Sequence, residues 1–174
     1  MTGMKVRILN CPDLRFKPYL DRATRFYLNL LVTRKRLFKY LKVTIRFTNK
    51  INVLGYCSVE KLNSRKHARE FLIEIHSRIS ASNILRVLAH ECVHIKQYIN
   101  GETNDQLNLW QGQPVNYDET DYWDQPWEIE AHGLEVGTFV KFVIQEKLWE
   151  IFDDIRNPNA DISPEPFGWK TKPI

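Results

Sequence analysis

Five residues in the middle of the chain, His90-Glu91-Cys92-Val93-His94, combine two imidazoles and a carboxylate at a short, regular spacing. In a helix, residues i and i+4 lie one turn apart on the same face, so His90 and His94 can bind one metal ion while Glu91 lies beside them. Imidazole nitrogens are favoured ligands of zinc. This HExxH pattern predicts a Zn²⁺ site on a helix, with Glu91 as the general base of a hydrolytic reaction.

Two imidazoles do not complete a catalytic zinc site, which needs a third protein ligand and leaves a fourth position for water. The nearest candidates downstream are Glu128, Glu130 and His132. At about 100° per residue, Glu128 and His132 share one face of a helix, whereas Glu130 is rotated by about 200° from Glu128. The two glutamates therefore cannot reach the same ion, and these residue types leave the choice among the three open.

Two helices must position these side chains. Ser80 or Ser82 can cap a helix that runs to about Ile99, where Asn100-Gly101 supplies residues that end helices well. Pro126 suits the first turn of a second long helix, expected to continue to about Phe152. The segment between them, residues 102–125, has no sustained period and predicts a long, irregular connection.

The part of the chain before these helices predicts a small sheet. A short strand over residues 5–9 precedes an amphipathic helix over residues 19–31, and residues 43–47, 53–60 and 71–75 have strand character. The expected fold is α+β, with a small, mostly antiparallel sheet packed on the two long helices. Without a break in composition, residues 1–156 are expected to form one domain, followed by an extended, Pro-rich tail over residues 157–174.

The HECVH motif, followed by a helix carrying Glu-x-x-Ala in the segment PWEIEAH, resembles the gluzincin peptidases, in particular the ImmA/IrrE-like and HtpX-like members. The resemblance covers residues 71 to 152 and implies a minimal zincin-like fold and zinc-dependent hydrolysis of peptide bonds. It implies Glu128 as the third metal ligand, with Ala131 close to the HExxH helix and Glu130 in a supporting role. It also implies that residues 71–76 form the edge strand along which an extended substrate binds. His132 departs from the pattern, because related sequences commonly carry Asp or Asn at that position.

Three further residues are candidates for stabilising the oxyanion that forms during peptide hydrolysis, namely Tyr117, Tyr122 and His76. Trp110, Trp123 and Trp127 are near the predicted site in sequence and could either shape a substrate pocket or belong to the core.

The charges are unevenly distributed. Residues 1–70 contain 17 Lys and Arg against 4 Asp and Glu, a net +13, whereas residues 71–174 carry a net −9. A basic half of this size could contact nucleic acid, or it could be a solvated surface that complements the acidic half. One alternative function is therefore a nucleic-acid-associated, SprT-like peptidase, although no histidine follows His94 at the close spacing such a site uses. Another is a catalytically silent zincin-fold protein with a binding or structural role, which the intact Glu91 disfavours.

The remaining composition predicts a soluble, cytoplasmic protein. No apolar run approaches the roughly 20 residues that cross a bilayer, and the N-terminal residues do not resemble a secretory signal. Cys11, Cys57 and Cys92 are widely spaced and contain no CxxC pair, so a disulfide framework or a cysteine-based metal site is not expected.

Overall fold

The computed structural model describes residues 3–148, which form a mixed sheet covered by helices. The predicted tail at residues 157–174 and the end of the predicted domain lie outside this range. In chain order the helices and strands are β1 (Lys5–Leu9), α1 (Lys17–Leu31), β2 (Lys42–Thr48), β3 (Gly55–Leu62), β4 (Ala68–His76), α2 (Ala81–Asn100), β5 (Leu109–Trp110), β6 (Gln113–Pro114) and α3 (Pro126–Glu146). Short 3-10 turns span Leu14–Phe16, Lys35–Tyr40 and Tyr122–Asp124. The predicted α+β class is confirmed as far as the mixture of helices and a small sheet is concerned.

The expectation of a mostly antiparallel sheet was wrong. The strand order is β1-β2-β4-β3, and two of the three neighbouring pairs, β1 with β2 and β2 with β4, are parallel. Within this four-stranded sheet of the described residues, β3 and β4 are the one antiparallel pair. The parallel pairs arise because α1 connects β1 to β2 as a crossover, and because β4 returns to the middle of the sheet, between β2 and β3.

The same topology corrects the expected position of the edge strand. β4 lies inside the sheet, and its side chains Phe71, Ile73 and Ile75 are almost completely buried. The strand at this edge of the sheet is β3, which pairs with β4 alone among the described strands. Any partner that extends the sheet here would therefore bind along β3.

The HExxH helix is α2, and local chemistry defines both of its ends. The Ser80 side chain accepts a hydrogen bond from the Asn83 backbone N–H, and Gly101 ends the helix at φ 72°. Because that left-handed conformation is unfavourable for residues with a Cβ, glycine suits the position. Thirteen of the twenty residues of α2 are buried, since the helix packs on the sheet and against α1 and α3.

The second long helix, α3, begins at Pro126 as expected but ends earlier than the predicted Phe152. Lys147 has φ 54° and its N–H closes the helix on the carbonyls of Val143 and Ile144. The connection before α3 is largely irregular, as expected, although β5 and β6 form a two-residue hairpin within it. None of the helices within residues 3–148 combines the length and the apolar character that crossing a bilayer requires.

Candidate metal centre

The two imidazoles of the HExxH motif lie side by side on the face of α2 that meets α3. His90 is 5% exposed, and its Nε2 atom lies 3.1 Å from Nε2 of His94. From α3, Glu128 Oε2 lies 3.2 Å from His90 Nε2 and 3.6 Å from His94 Nε2. Two nitrogens and one oxygen therefore form a nearly equilateral triangle between the two helices.

Glu135 orients His90 from its far side. Its Oε2 lies 2.8 Å from His90 Nδ1, and because a carboxylate only accepts here, Nδ1 must donate. The other oxygen of Glu135 accepts two hydrogen bonds from Arg86, at 2.9 and 2.6 Å. His90 thus presents Nε2 to the triangle, an arrangement in which a carboxylate sets the orientation and tautomer of a ligating histidine.

Gln97 plays the corresponding part for His94. Its Nε2 donates to the Trp127 carbonyl at 2.8 Å and to Glu130 Oε2 at 3.0 Å, both of which can only accept. Its Oε1 must therefore face His94 Nδ1, 2.9 Å away, and accept from it. Gln97 is completely buried, so this orientation is held by packing as well as by hydrogen bonds.

A second grouping of ligand atoms shares two members of the triangle. His90, Glu128 and His132 offer ligand atoms that all lie within 4.8 Å of one another and could hold a metal ion. Both ring nitrogens of His132 already have neighbours, however, with Nε2 3.0 Å from the Tyr122 hydroxyl and Nδ1 3.3 Å from Glu135 Oε2. The Nε2 atom of His94 lies 3.1 Å from His90 Nε2 and 3.6 Å from Glu128 Oε2, so the triangle containing His94 is compact.

Glu130 points elsewhere, as the helical rotation predicts. Its carboxylate accepts hydrogen bonds from Lys96 at 2.6 Å and from Gln97 at 3.0 Å. Glu130 therefore supports the residue that orients His94 and is not a member of either ligand grouping.

Glu91 is buried at the wall of a cleft beside the triangle, with an exposed fraction of 4%. The cleft has a volume of about 820 Å³, and its lining runs from Ile51, before β3, to Val59, near the middle of that strand, together with His90, His94 and Glu128. Gly55 at the start of β3 approaches Glu91 so closely that an added Cβ would lie 2.7 Å from its Oε1 atom. Glycine at this position thus leaves room for the carboxylate next to the imidazoles.

Two of the three candidate oxyanion donors line this cleft. Tyr117 and Tyr122 are among its lining residues, whereas His76, at the end of β4, is not. The Tyr122 hydroxyl donates to Glu128 Oε2 at 2.7 Å, so it already lies at the edge of the triangle.

The three tryptophans have different environments. Trp127 is 1% exposed and lines the cleft floor, with Tyr117 stacked on it at 6.2 Å and Trp110 tilted against it at 6.5 Å. Trp123 is 52% exposed and packs on the ring of His132. Trp127 is therefore both a core residue and part of the cleft.

The electrostatics of the site are those of a buried anionic cluster. With neutral imidazoles, the carboxylates of Glu91, Glu128 and Glu135 face one guanidinium, that of Arg86. Burial tends to lower the pKa of His90, but its hydrogen bonds to Glu128 and Glu135 outweigh burial and raise the pKa to about 10. The site therefore attracts protons onto its imidazoles, and the same excess of negative charge suits a divalent cation.

The pKa values of the carboxylates Glu128 and Glu135 are lowered, whereas that of His90 is raised. Burial tends to raise the pKa of Glu128, but the imidazoles of His94 and His90 outweigh it and hold the pKa well below its ordinary value. For Glu135, the hydrogen bonds from His132, His90 and Arg86 similarly overcome burial and lower the pKa to about 2. Both groups are therefore anionic at neutral pH, which is the form that binds metal ions or orients a ligand.

Sequence reasoning missed Glu135, its partner Arg86 and Gly55. Glu135 follows Glu128 by seven positions and His132 by three, so helical periodicity alone places all three on one stripe of α3. The spacing in the sequence was therefore enough to identify Glu135 as a candidate. No sequence pattern indicates the role of Gly55, because that role depends on how β3 packs against α2.

Comparisons of this chain with protein-family models, with curated proteins and with solved structures returned no match. Any assignment of function must therefore rest on the geometry and chemistry of these side chains.

Proposed function

We propose that this protein is a zinc-dependent metallopeptidase in which His90, His94 and Glu128 hold the metal and Glu91 is the general base. The observation that carries the proposal is the triangle of ligand atoms, with sides of 3.1, 3.2 and 3.6 Å. Zinc bonds of about 2.0–2.2 Å to nitrogen and oxygen in a tetrahedral site place ligand atoms roughly 3.3–3.6 Å apart. Two sides are shorter than this range by about 0.1–0.2 Å and the third lies within it, so the three atoms are close to the spacing of zinc ligands.

The surrounding hydrogen bonds support the same assignment. Glu135 and Gln97 leave the Nε2 atoms of His90 and His94 facing Glu128, so both rings are oriented before a metal arrives. Such outer partners commonly increase metal affinity because they fix the tautomer and reduce the entropy lost on binding. His132 is the competing third ligand, and its contacts with Tyr122 and Glu135 favour a supporting role.

Peptide hydrolysis would divide the chemistry between the metal and the protein. Bound zinc would supply Lewis-acid polarisation of the scissile carbonyl and would lower the pKa of the attacking water. Glu91 accepts a proton from that water and then donates it to the leaving amine nitrogen. Tyr122, with its hydroxyl at the edge of the triangle, is the preferred donor to the oxyanion over Tyr117, whose ring is stacked on Trp127.

The substrate would bind in the cleft along β3. This strand has no partner on its outer side among the described strands, and its first half lines the cleft beside Glu91. An extended peptide can add to such an edge through backbone hydrogen bonds, which would hold its carbonyl groups in a regular register. An unfolded polypeptide is therefore the preferred substrate class.

The test combines metal analysis with hydrolysis of an unfolded protein such as casein, using the full chain. The wild-type protein should contain one zinc per chain and lose activity with a chelator, and Glu91→Gln should keep zinc but lose activity. Glu128→Gln should lose zinc, and its matched control is Glu146→Gln, which lies on the same helix but pairs with Arg22. Zinc-containing protein with no hydrolysis in any assay would instead indicate the catalytically silent alternative, and absence of zinc would contradict the whole proposal.

A further inference from the structure

A second cleft, distinct from the metal centre, lies at the end of the sheet where the parallel strands begin. It has a volume of about 580 Å³, and we refer to it as the basic cleft. Its lining includes the first residues of β1 and β2, the 3-10 turn before β2, and the turn between β3 and β4. The charged residues that line it are Lys5, Lys39, Lys42, Arg65, Arg69 and Glu70.

We propose that the basic cleft binds single-stranded nucleic acid. Five cationic side chains face one carboxylate, and Glu70 is already engaged by Lys42 at 2.8 Å. Lys39 and Arg65 are exposed and have no carboxylate partner among the described residues. Positive charge that is not neutralised within the fold attracts the phosphates of a polyanion and releases their counterions.

The acidic half of the chain does not cover this cleft. Every lining residue lies between positions 5 and 70, and no carboxylate from residues 71–148 contributes to it. An intramolecular role for the basic surface, as the complement of the acidic half, would require such carboxylates here. The geometry instead leaves Lys39 and Arg65 exposed, where an external partner can reach them.

An exposed aromatic ring favours single-stranded nucleic acid over other polyanions. Tyr40 lines the cleft and is 57% exposed, and the ammonium of Lys39 lies 4.8 Å from its ring centre. An aromatic face next to phosphate-binding cations is the arrangement on which unpaired bases stack. Single-stranded nucleic acid would use both features of the cleft, its positive charge and its exposed ring.

The basic cleft and the metal centre lie along the same strand. The cleft beside Glu91 follows β3 from Gly55 to Val59, whereas Asn63 and Arg65 just beyond the end of β3 line the basic cleft. Gly55, which approaches Glu91, and Asn63 are eight residues apart, roughly 25 Å along an extended strand, and the nearest lining residues of the two clefts, Val59 and Asn63, are four residues apart. Nucleic acid in one site and polypeptide in the other could therefore be bound at the same time.

The experiment measures binding of the full chain to a fluorescein-labelled 20-nucleotide oligo-dT by fluorescence anisotropy across a salt series. The double substitution Lys39→Glu with Arg65→Glu should weaken binding at low salt by roughly tenfold or more and reduce the slope of log K against log salt by about 1.4. Lys50→Glu with Lys141→Glu changes the net charge equally at exposed sites outside the cleft and should have little effect. Equal losses in the two double variants would overturn the proposal.

Tyr40→Ala separates nucleic-acid recognition from simple charge attraction. It should weaken oligo-dT binding by roughly fivefold or more while leaving the affinity for heparin unchanged. Duplex DNA bound as tightly as oligo-dT, with no effect of Tyr40→Ala, would mean a non-specific polyanion surface and would overturn the proposal. Because the basic cleft contains none of the metal-centre residues, Glu91→Gln should bind oligo-dT normally, so either proposal can fail without the other.

Discussion

Gly55 and Glu91 are in contact across the boundary between the sheet and the HExxH helix. A Cβ built on Gly55 would lie 2.7 Å from Glu91 Oε1 and 2.4 Å from Cγ1 of Val87. Both distances are shorter than van der Waals contact allows, so a side chain at position 55 would have to displace the carboxylate, the helix or the strand. The proposed general base thus owes its position to the absence of a side chain on the neighbouring strand.

Gly55→Ala should therefore reduce turnover more than it reduces zinc binding. We expect kcat on an unfolded substrate to fall at least tenfold, because a misplaced base loses part of its typical hundredfold to ten-thousandfold contribution. Overpacking should also lower the free energy of unfolding by about 1–3 kcal/mol. Steady-state kinetics, zinc content and a urea titration measure the three quantities.

Gly133→Ala is the control for this substitution. A Cβ at Gly133 meets nothing within 4 Å, and alanine is favoured over glycine inside a helix, so this variant should be active and slightly more stable. If Gly55→Ala retained wild-type kcat, Glu91 would not depend on this contact.

Glu135→Gln should weaken zinc binding although Glu135 is not a proposed ligand. The substitution replaces the anionic acceptor for His90 Nδ1 and the charged partner of Arg86 with a neutral amide, which holds the tautomer and orientation of His90 less firmly. Loss of such an outer partner typically costs 10-fold to 100-fold in metal affinity, which competition with a chromophoric chelator would measure. Glu146→Gln, on the same helix, should keep wild-type affinity. Equal affinities for the two variants would remove Glu135 from the metal centre.

Substitutions at His94 and His132 should distinguish the two ligand groupings that share His90 and Glu128. His94→Gln should lose zinc at micromolar metal concentrations, because it removes one of three protein bonds to the ion. His132→Gln should retain zinc with reduced affinity, because it removes contacts with Tyr122 and Glu135 only. The zinc content of each variant after gel filtration distinguishes the two groupings. If His132→Gln lost zinc and His94→Gln retained it, His132 would take the place of His94 as a metal ligand.

Zinc should stabilise the folded protein, since the triangle joins α2 to α3. At a free zinc concentration 100 times Kd, binding to the native state alone adds about 2.7 kcal/mol to the free energy of unfolding. For a chain of this length that corresponds to a rise in Tm of roughly 5–10 °C. Calorimetry of the chelator-treated protein with and without zinc measures the shift. His94→Gln provides the comparison, and a shift as large in that variant would indicate binding elsewhere.

Much of the candidate site followed from helical periodicity and local chemistry, which depend only on residues near one another in the chain. The four-residue spacing of His90 and His94 puts both rings on one face of any helix, and the cap at Ser80 and the glycine at 101 specify where that helix begins and ends. The same geometry separated Glu128 from Glu130 by about half a turn, which is the arrangement observed.

Tertiary structure decided what distant segments bring to that face. Strand pairing is set by which faces become buried and by how the connections run, so the alternation within residues 71–75 predicted a strand but could not place it inside a largely parallel sheet. Three features depend on how β3, α2 and α3 pack. Gly55 approaches Glu91, and Gln97, held by the Trp127 carbonyl, orients His94. It is also the packing that turns Glu128 towards the imidazoles. Local sequence specifies the direction of a side chain from its own helix, whereas the partner it meets is set by packing of the whole core.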